Sequence, residues 1–108
     1  MDPVEEQLLA YNAKDIERFL RAYSPDVVIE DGEGNLLMQG TDQMREQYGA
    51  LFASSPNLHA DIVNRIKVGN YTVDEEAVTG FPGASEGIRA VAIYRVDGDQ
   101  IVHVRMLR

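Results

Sequence analysis

From Leu58 to Leu107 the chain alternates apolar and polar residues, and Gly69-Asn70 and Asp97-Gly98 punctuate it with two-residue turn signals. That pattern commits the second half to antiparallel strands joined by hairpins. Leu58, Ala60, Ile62, Ile66 and Val68 stand against His59, Asp61, Arg65 and Lys67, and a strand near Tyr71–Phe81 follows. The loop from Pro82 to Gly87 separates it from the most apolar strand, Ile88–Val96, and Ile101–Leu107 is the last.

The first half has a different period. Val4, Leu8 and Tyr11 recur at helical spacing, as do Ile16, Phe19, Leu20 and Tyr23, with Asp15 as the N-cap between the two stripes. Ser24-Pro25 stops the second helix, because a residue before proline is pushed out of the helical region. Asp26–Glu30 and Leu36–Met38 read as short strands around a turn at Gly32 and Gly34. Thr41 and Asp42 open a third helix with Met44, Tyr48, Leu51 and Phe52 on its buried stripe. Helices gathered before a hairpin-linked meander predict an α+β fold, with helices on one face of an antiparallel sheet.

The chain's 108 residues suffice for one domain, 1–108. Eighteen acidic against ten basic residues give a formal charge of −8, which repels phosphate backbones and anionic lipid. Nucleic acid and membrane surfaces are therefore not expected partners. There is no cysteine, no apolar run of membrane-spanning length, and no basic, apolar leader at the N-terminus. The expectation is a cytoplasmic domain. Val91 and Ile93 oppose Ala90, Ala92 and Tyr94, so the sheet offers an apolar outer face as well as an inner one. A second copy of the chain is the simplest cover, and a homodimer through that face is expected.

Metal and nucleophile motifs are weak. His59 and His103 have no ligand partners at suitable spacing, and the run starting at Asp31 has Leu36 at the sixth position, where a calcium loop needs glycine, and Asp42 at the twelfth, where it needs a bidentate glutamate. No metal and no cofactor is expected. Asp31 shares the strand side of Val27 and Ile29. It is either a carboxylate sunk beside apolar walls, with its pKa raised toward a general base's working range, or the cap of the Gly32–Gly34 turn.

Several local motifs recur in family-like order: Tyr11–Ile16, Asp26–Asp31, Gly40-Thr41, Arg45–Tyr48, and Asp97-Gly98 before Ile101–Leu107. With them the chain resembles the SnoaL-like proteins and bacterial ketosteroid isomerases of the nuclear transport factor 2 superfamily, over nearly its whole length. The resemblance implies a cone of three helices packed on a strongly curved antiparallel sheet, with an apolar pocket inside for a small hydrophobic molecule. It implies that Asp31 matches the carboxylate the isomerases use as proton shuttle. Tyr48 matches a tyrosine supporting the oxyanion donor, and Tyr11, Tyr23 and Val104 match the pocket lining. Where the isomerases place their two oxyanion donors, this chain has Gln7 and Ala92, and Asn64 offers a replacement amide. Losing one such donor costs about 100- to 1000-fold, so efficient ketosteroid isomerisation is not expected. What the resemblance leaves is an isomerase-, lyase- or cyclase-type step at Asp31, or a binding module of the same fold. A dimer whose cone its own side chains fill is the third reading.

Overall fold

The computed structural model describes residues 2–108, in which three helices cover one face of a six-stranded sheet. Helix α1 (Pro3–Ala13) starts at Asp2, whose carboxylate accepts from the Val4 amide at 3.0 Å, with Pro3 at the first helical position. It ends at Lys14, held in the left-handed region at φ 53°. Asp15 then caps α2 (Ile16–Arg21) by accepting from the Arg18 amide.

Helix α2 is shorter than its apolar stripe predicts. Tyr23 belongs to strand β1 (Tyr23–Asp31), because the backbone beyond Arg21 is captured by the last strand: the Ile101 amide donates to the Ala22 carbonyl, and Tyr23 pairs with Ile101. Strand β2 (Leu36–Gln39) folds back on β1 and leads into α3 (Gly40–Ser54). Thr41 does not cap α3; the Gln43 side chain reaches back instead and accepts from the Gln39 amide at 2.8 Å. Strands β3 (His59–Val68), β4 (Tyr71–Thr79), β5 (Ile88–Asp97) and β6 (Gln100–Leu107) form the meander.

The sheet order is β2-β1-β6-β5-β4-β3. Every pairing is antiparallel except β1 with β6, so the sheet is mixed and not purely antiparallel as expected. The last strand of the meander, reached from β1 through β2 and α3, runs alongside β1 in the same direction. The sheet is curved and not closed. Its concave face meets the helices around Phe19, Ile29, Met44, Leu58 and Ile101, all fully buried.

One irregularity reorganises β3. The register with β4 shifts between Ile62 and Asn64, leaving Val63 as an extra residue. A one-residue slip reverses every side chain beyond it. Ile66 and Val68, expected to share a side with Ala60 and Ile62, instead point outward, Val68 with 68% of its surface exposed. Arg65 correspondingly turns inward. On the same outer face Tyr71 is exposed and Val73, Val91 and Ile93 are partly covered, which leaves a continuous apolar strip over β3, β4 and β5.

Candidate functional site

Between the helices and the concave sheet lies a cavity of about 60 Å³. Its aromatic wall is local in origin. Helical spacing puts Gln7, Leu8 and Tyr11 on the inner face of α1, and α2 and α3 contribute Phe19 and Tyr48. These rings pack tilted or edge-on: Phe19 and Tyr48 lie 4.9 Å apart between centroids, Phe19 and Tyr23 5.2 Å, and Tyr11 and Tyr48 6.5 Å. At the mouth the Arg108 guanidinium sits over the Phe81 ring, 5.8 Å from its centroid.

The charged member is Glu76. Alternation on β4 turns Thr72, Asp74, Glu76 and Val78 to the concave face, and all four are buried. Asp74, with no exposed surface, is fully matched: Arg65 donates to both its oxygens, at 2.7 and 2.9 Å, and to Glu5 at 2.8 Å. The bulge in β3 is what delivers Arg65 to this place. Glu76 has no such partner. It lines the cavity with 8% of its surface exposed, and no described residue donates a hydrogen bond to it. Burial, followed by the negative charge of Asp74, raises its pKa from the ordinary 4.5 to about 7; Arg108 and Arg65 oppose this and do not win.

A chain of hydrogen bonds forms the other polar feature. Gln7 Nε2 donates to the Val4 carbonyl at 3.0 Å and to Tyr94 Oη at 3.2 Å, and Tyr23 Oη donates to Gln7 Oε1 at 3.2 Å. Burial pushes the Tyr23, Tyr48 and Tyr94 phenols upward, so they stay protonated and act as donors or neutral acceptors.

The expected site is therefore partly assembled. Gln7, Tyr11, Tyr23, Tyr48 and Val104 all line the cavity. Ala92 does not; it is buried opposite Asp74 in the β4–β5 register, and Ala90, opposite Glu76, takes the place on the wall. Asn64 is also displaced, because the bulge turns it to the outer face opposite Glu75, where it is exposed.

Asp31 is the main correction. Its carboxylate closes the β1–β2 turn, accepting from the Glu33 and Asn35 amides at 2.9 Å and from Asn35 Nδ2 at 3.0 Å. Those bonds, the Asn35 side chain first, hold its pKa below the usual carboxylate value, opposite to the shift a buried base requires. It borders an open groove that shares Met106 and Arg108 with the cavity, and it does not line the cavity. Asp31→Asn is accordingly expected to leave any proton transfer in the cavity unchanged, measured as α-hydrogen exchange on a small ketone. A loss matching that of Glu76→Gln would return Asp31 to the site.

The signal for Glu76 was its parity with Thr72, Asp74 and Val78. The opposite parity, Tyr71, Val73 and Ala77, is at least as apolar, so alternation alone points the acidic residues to solvent.

The model of the SnoaL-like domain matches residues 4–104. Among solved structures, the chain is similar to an uncharacterized cystatin-fold protein of Novosphingobium aromaticivorans, with 28% identity and a TM-score of 0.88 over 100% of this chain and 99% of that one. A putative polyketide cyclase of Sinorhizobium meliloti aligns at 20% identity and TM-score 0.79, covering 96% and 92% of the two chains. A putative ketosteroid isomerase of Kribbella flavida aligns at 12% and 0.81, covering 97% and 73%. No curated protein matches the sequence. A family match spanning nearly the whole chain, on a fold shared with these structures, makes this protein a member of the SnoaL-like domain family.

Proposed function

We propose that the cavity binds a small, largely apolar molecule carrying a carbonyl group, and that Glu76 takes a proton from the carbon beside that group and returns it. The observation that carries this reading is a buried carboxylate to which no described residue donates a hydrogen bond, lining a cavity with aromatic walls, where burial pushes its pKa up to about 7. A base works best when its pKa lies near the operating pH. In the step, the C–H proton passes to the Glu76 carboxylate while its electron pair moves into the carbonyl, leaving an enolate. Where the substrate also carries a carbon–carbon double bond conjugated with that enolate, reprotonation from Glu76 at the far carbon of the conjugated system gives an isomer; where it carries a leaving group on the β-carbon, the electron pair forms the α–β double bond as that group departs, which is elimination. The side chains supply the base and the neutral phenolic donors. The test is deuterium incorporation at the α-carbons of cyclohexanone in D2O, followed by NMR with wild type and Glu76→Gln. Equal rates in the two proteins, both above the buffer rate, would remove Glu76 from the chemistry.

The reading includes a second copy of the chain over the outer sheet face, where Ile66, Val68 and Tyr71 are exposed side by side. Contiguous apolar surface of this kind is rare on monomers. Sedimentation at micromolar concentration is expected to give a dimer and Ile66→Lys a monomer; a wild-type monomer contradicts it.

A further inference from the structure

Among the described residues that line the cavity, Arg108 is the one cation and Glu76 the one carboxylate. They differ in depth. Glu76 is buried, whereas Arg108 is exposed at the mouth, its guanidinium 5.8 Å from the centre of the Phe81 ring. An aromatic face holds a guanidinium through its charge and consumes none of its N–H donors.

Those donors have no other use in the fold. Arg18, Arg45, Arg65, Arg89 and Arg105 each pair with a described carboxylate, but Arg108 pairs with none. Asp31, which borders the same groove as Arg108, is taken up by its own turn. The charge nevertheless reaches inward. Burial raises the pKa values of Tyr11, Tyr48 and Glu76, and in all three the positive charge of Arg108 works against the rise.

A carboxylate deep inside and an unpaired cation at the rim suit a molecule that is neutral at one end and anionic at the other. One guanidinium balances a monoanion, and its planar fork matches the two oxygens of a carboxylate. A phosphate-type dianion would leave negative charge uncompensated beside Glu76, on a chain whose formal charge is already −8.

We infer that the ligand is a keto acid, with its carbonyl end inside the cavity beside Glu76 and its carboxylate at the mouth, accepting from the Arg108 guanidinium. Arg108 is thus a specificity-determining residue of the pocket. The inference rests on the proposed function only in placing a carbonyl compound in this cavity; it does not require that Glu76 move a proton.

The experiment is a binding series on the intact protein by ligand-observed NMR at low ionic strength, using 4-oxocyclohexanecarboxylate and 4-oxocyclohexanecarboxamide. The amide keeps the shape of the acid and lacks its charge. Wild type is expected to bind the acid about 3- to 10-fold more tightly than the amide, with the ratio falling toward one as salt is added. Arg108→Gln is expected to invert the order, because Glu76 and the net charge then act on the acid unopposed, and Arg108→Lys to keep the acid ahead. Equal binding of the two probes by wild type, or a preference for the amide, overturns the inference and leaves Arg108 as a clasp on Phe81. A preference for the acid that survives Arg108→Gln unchanged also overturns it, since the anion is then held elsewhere. An Arg108-dependent preference for the acid with no α-deuteration of either probe leaves this inference standing and defeats the proposed proton transfer. Equal binding, with deuteration that Glu76→Gln abolishes, does the reverse.

Discussion

Glu76→Gln is expected to slow α-proton exchange on cyclohexanone by about 10²- to 10⁴-fold, the range for removing a positioned general base, while making the protein more stable at alkaline pH. Both effects have one origin. The folded state holds the Glu76 proton up to about pH 7, whereas the unfolded chain releases it near 4.5. Between those values the unfolded chain binds fewer protons, so this residue's contribution lowers stability as pH rises through the window and levels off above it. The gap between 4.5 and about 7 amounts to ~3 kcal/mol. A glutamine imitates the protonated acid at every pH. Denaturant unfolding should therefore find the variant and wild type close together at about pH 4, and the variant ahead by up to ~3 kcal/mol at about pH 8.5. A variant less stable than wild type above neutrality would mean that Glu76 is ionised and stabilised in the fold, and not held protonated by burial.

Arg65→Met carries the largest expected cost to the fold. Asp74 has no exposed surface, and Arg65 donates to both of its oxygens. Removing one partner of a buried ion pair strands the other charge, at about 3–5 kcal/mol. For a protein of marginal stability that is a large share of the total, and the variant should show a greatly lowered unfolding midpoint. Adding Asp74→Leu to Arg65→Met should recover most of the loss, because an apolar pair leaves no charge stranded. A loss below about 1 kcal/mol in the single variant would place Asp74 in contact with water, as an exposed pair behaves. It would also weaken the explanation for the raised pKa of Glu76, since the Asp74 charge is its second cause after burial.

How much of this was readable before folding depends on the range of the interactions. Asp15 as a cap, Pro25 in an extended stretch, and the hairpins at Gly69-Asn70 and Asp97-Gly98 are short-range matters, and the elements they bound stand where expected to within a few residues. Tyr11, Tyr23 and Tyr48 were recognisable as inward-facing from their stripes, and they do line the cavity. The failures share a cause. Whether Tyr23 ends a helix or starts a strand is decided by Ile101, which is remote in sequence. Whether Arg65 or Ile66 faces inward is decided by one extra residue at Val63, and that residue carries no glycine to announce a bulge. The same shift turns Asn64 out and brings Arg65 to Asp74, and so sets up the charge environment of Glu76. Asp31 had two readings from sequence, and three hydrogen bonds within the turn select the capping one. Strand alternation names two candidate faces; only the helices packed on the sheet choose between them.

The most direct measurement is the titration of the Glu76 side chain in the intact protein by carboxyl-carbon NMR, with Glu76→Gln to assign the signal. A midpoint close to 7 is expected, more than two pH units above an ordinary glutamate. A midpoint near 4.5 would mean a hydrated carboxylate, and an enclosed proton acceptor in this cavity would be ruled out.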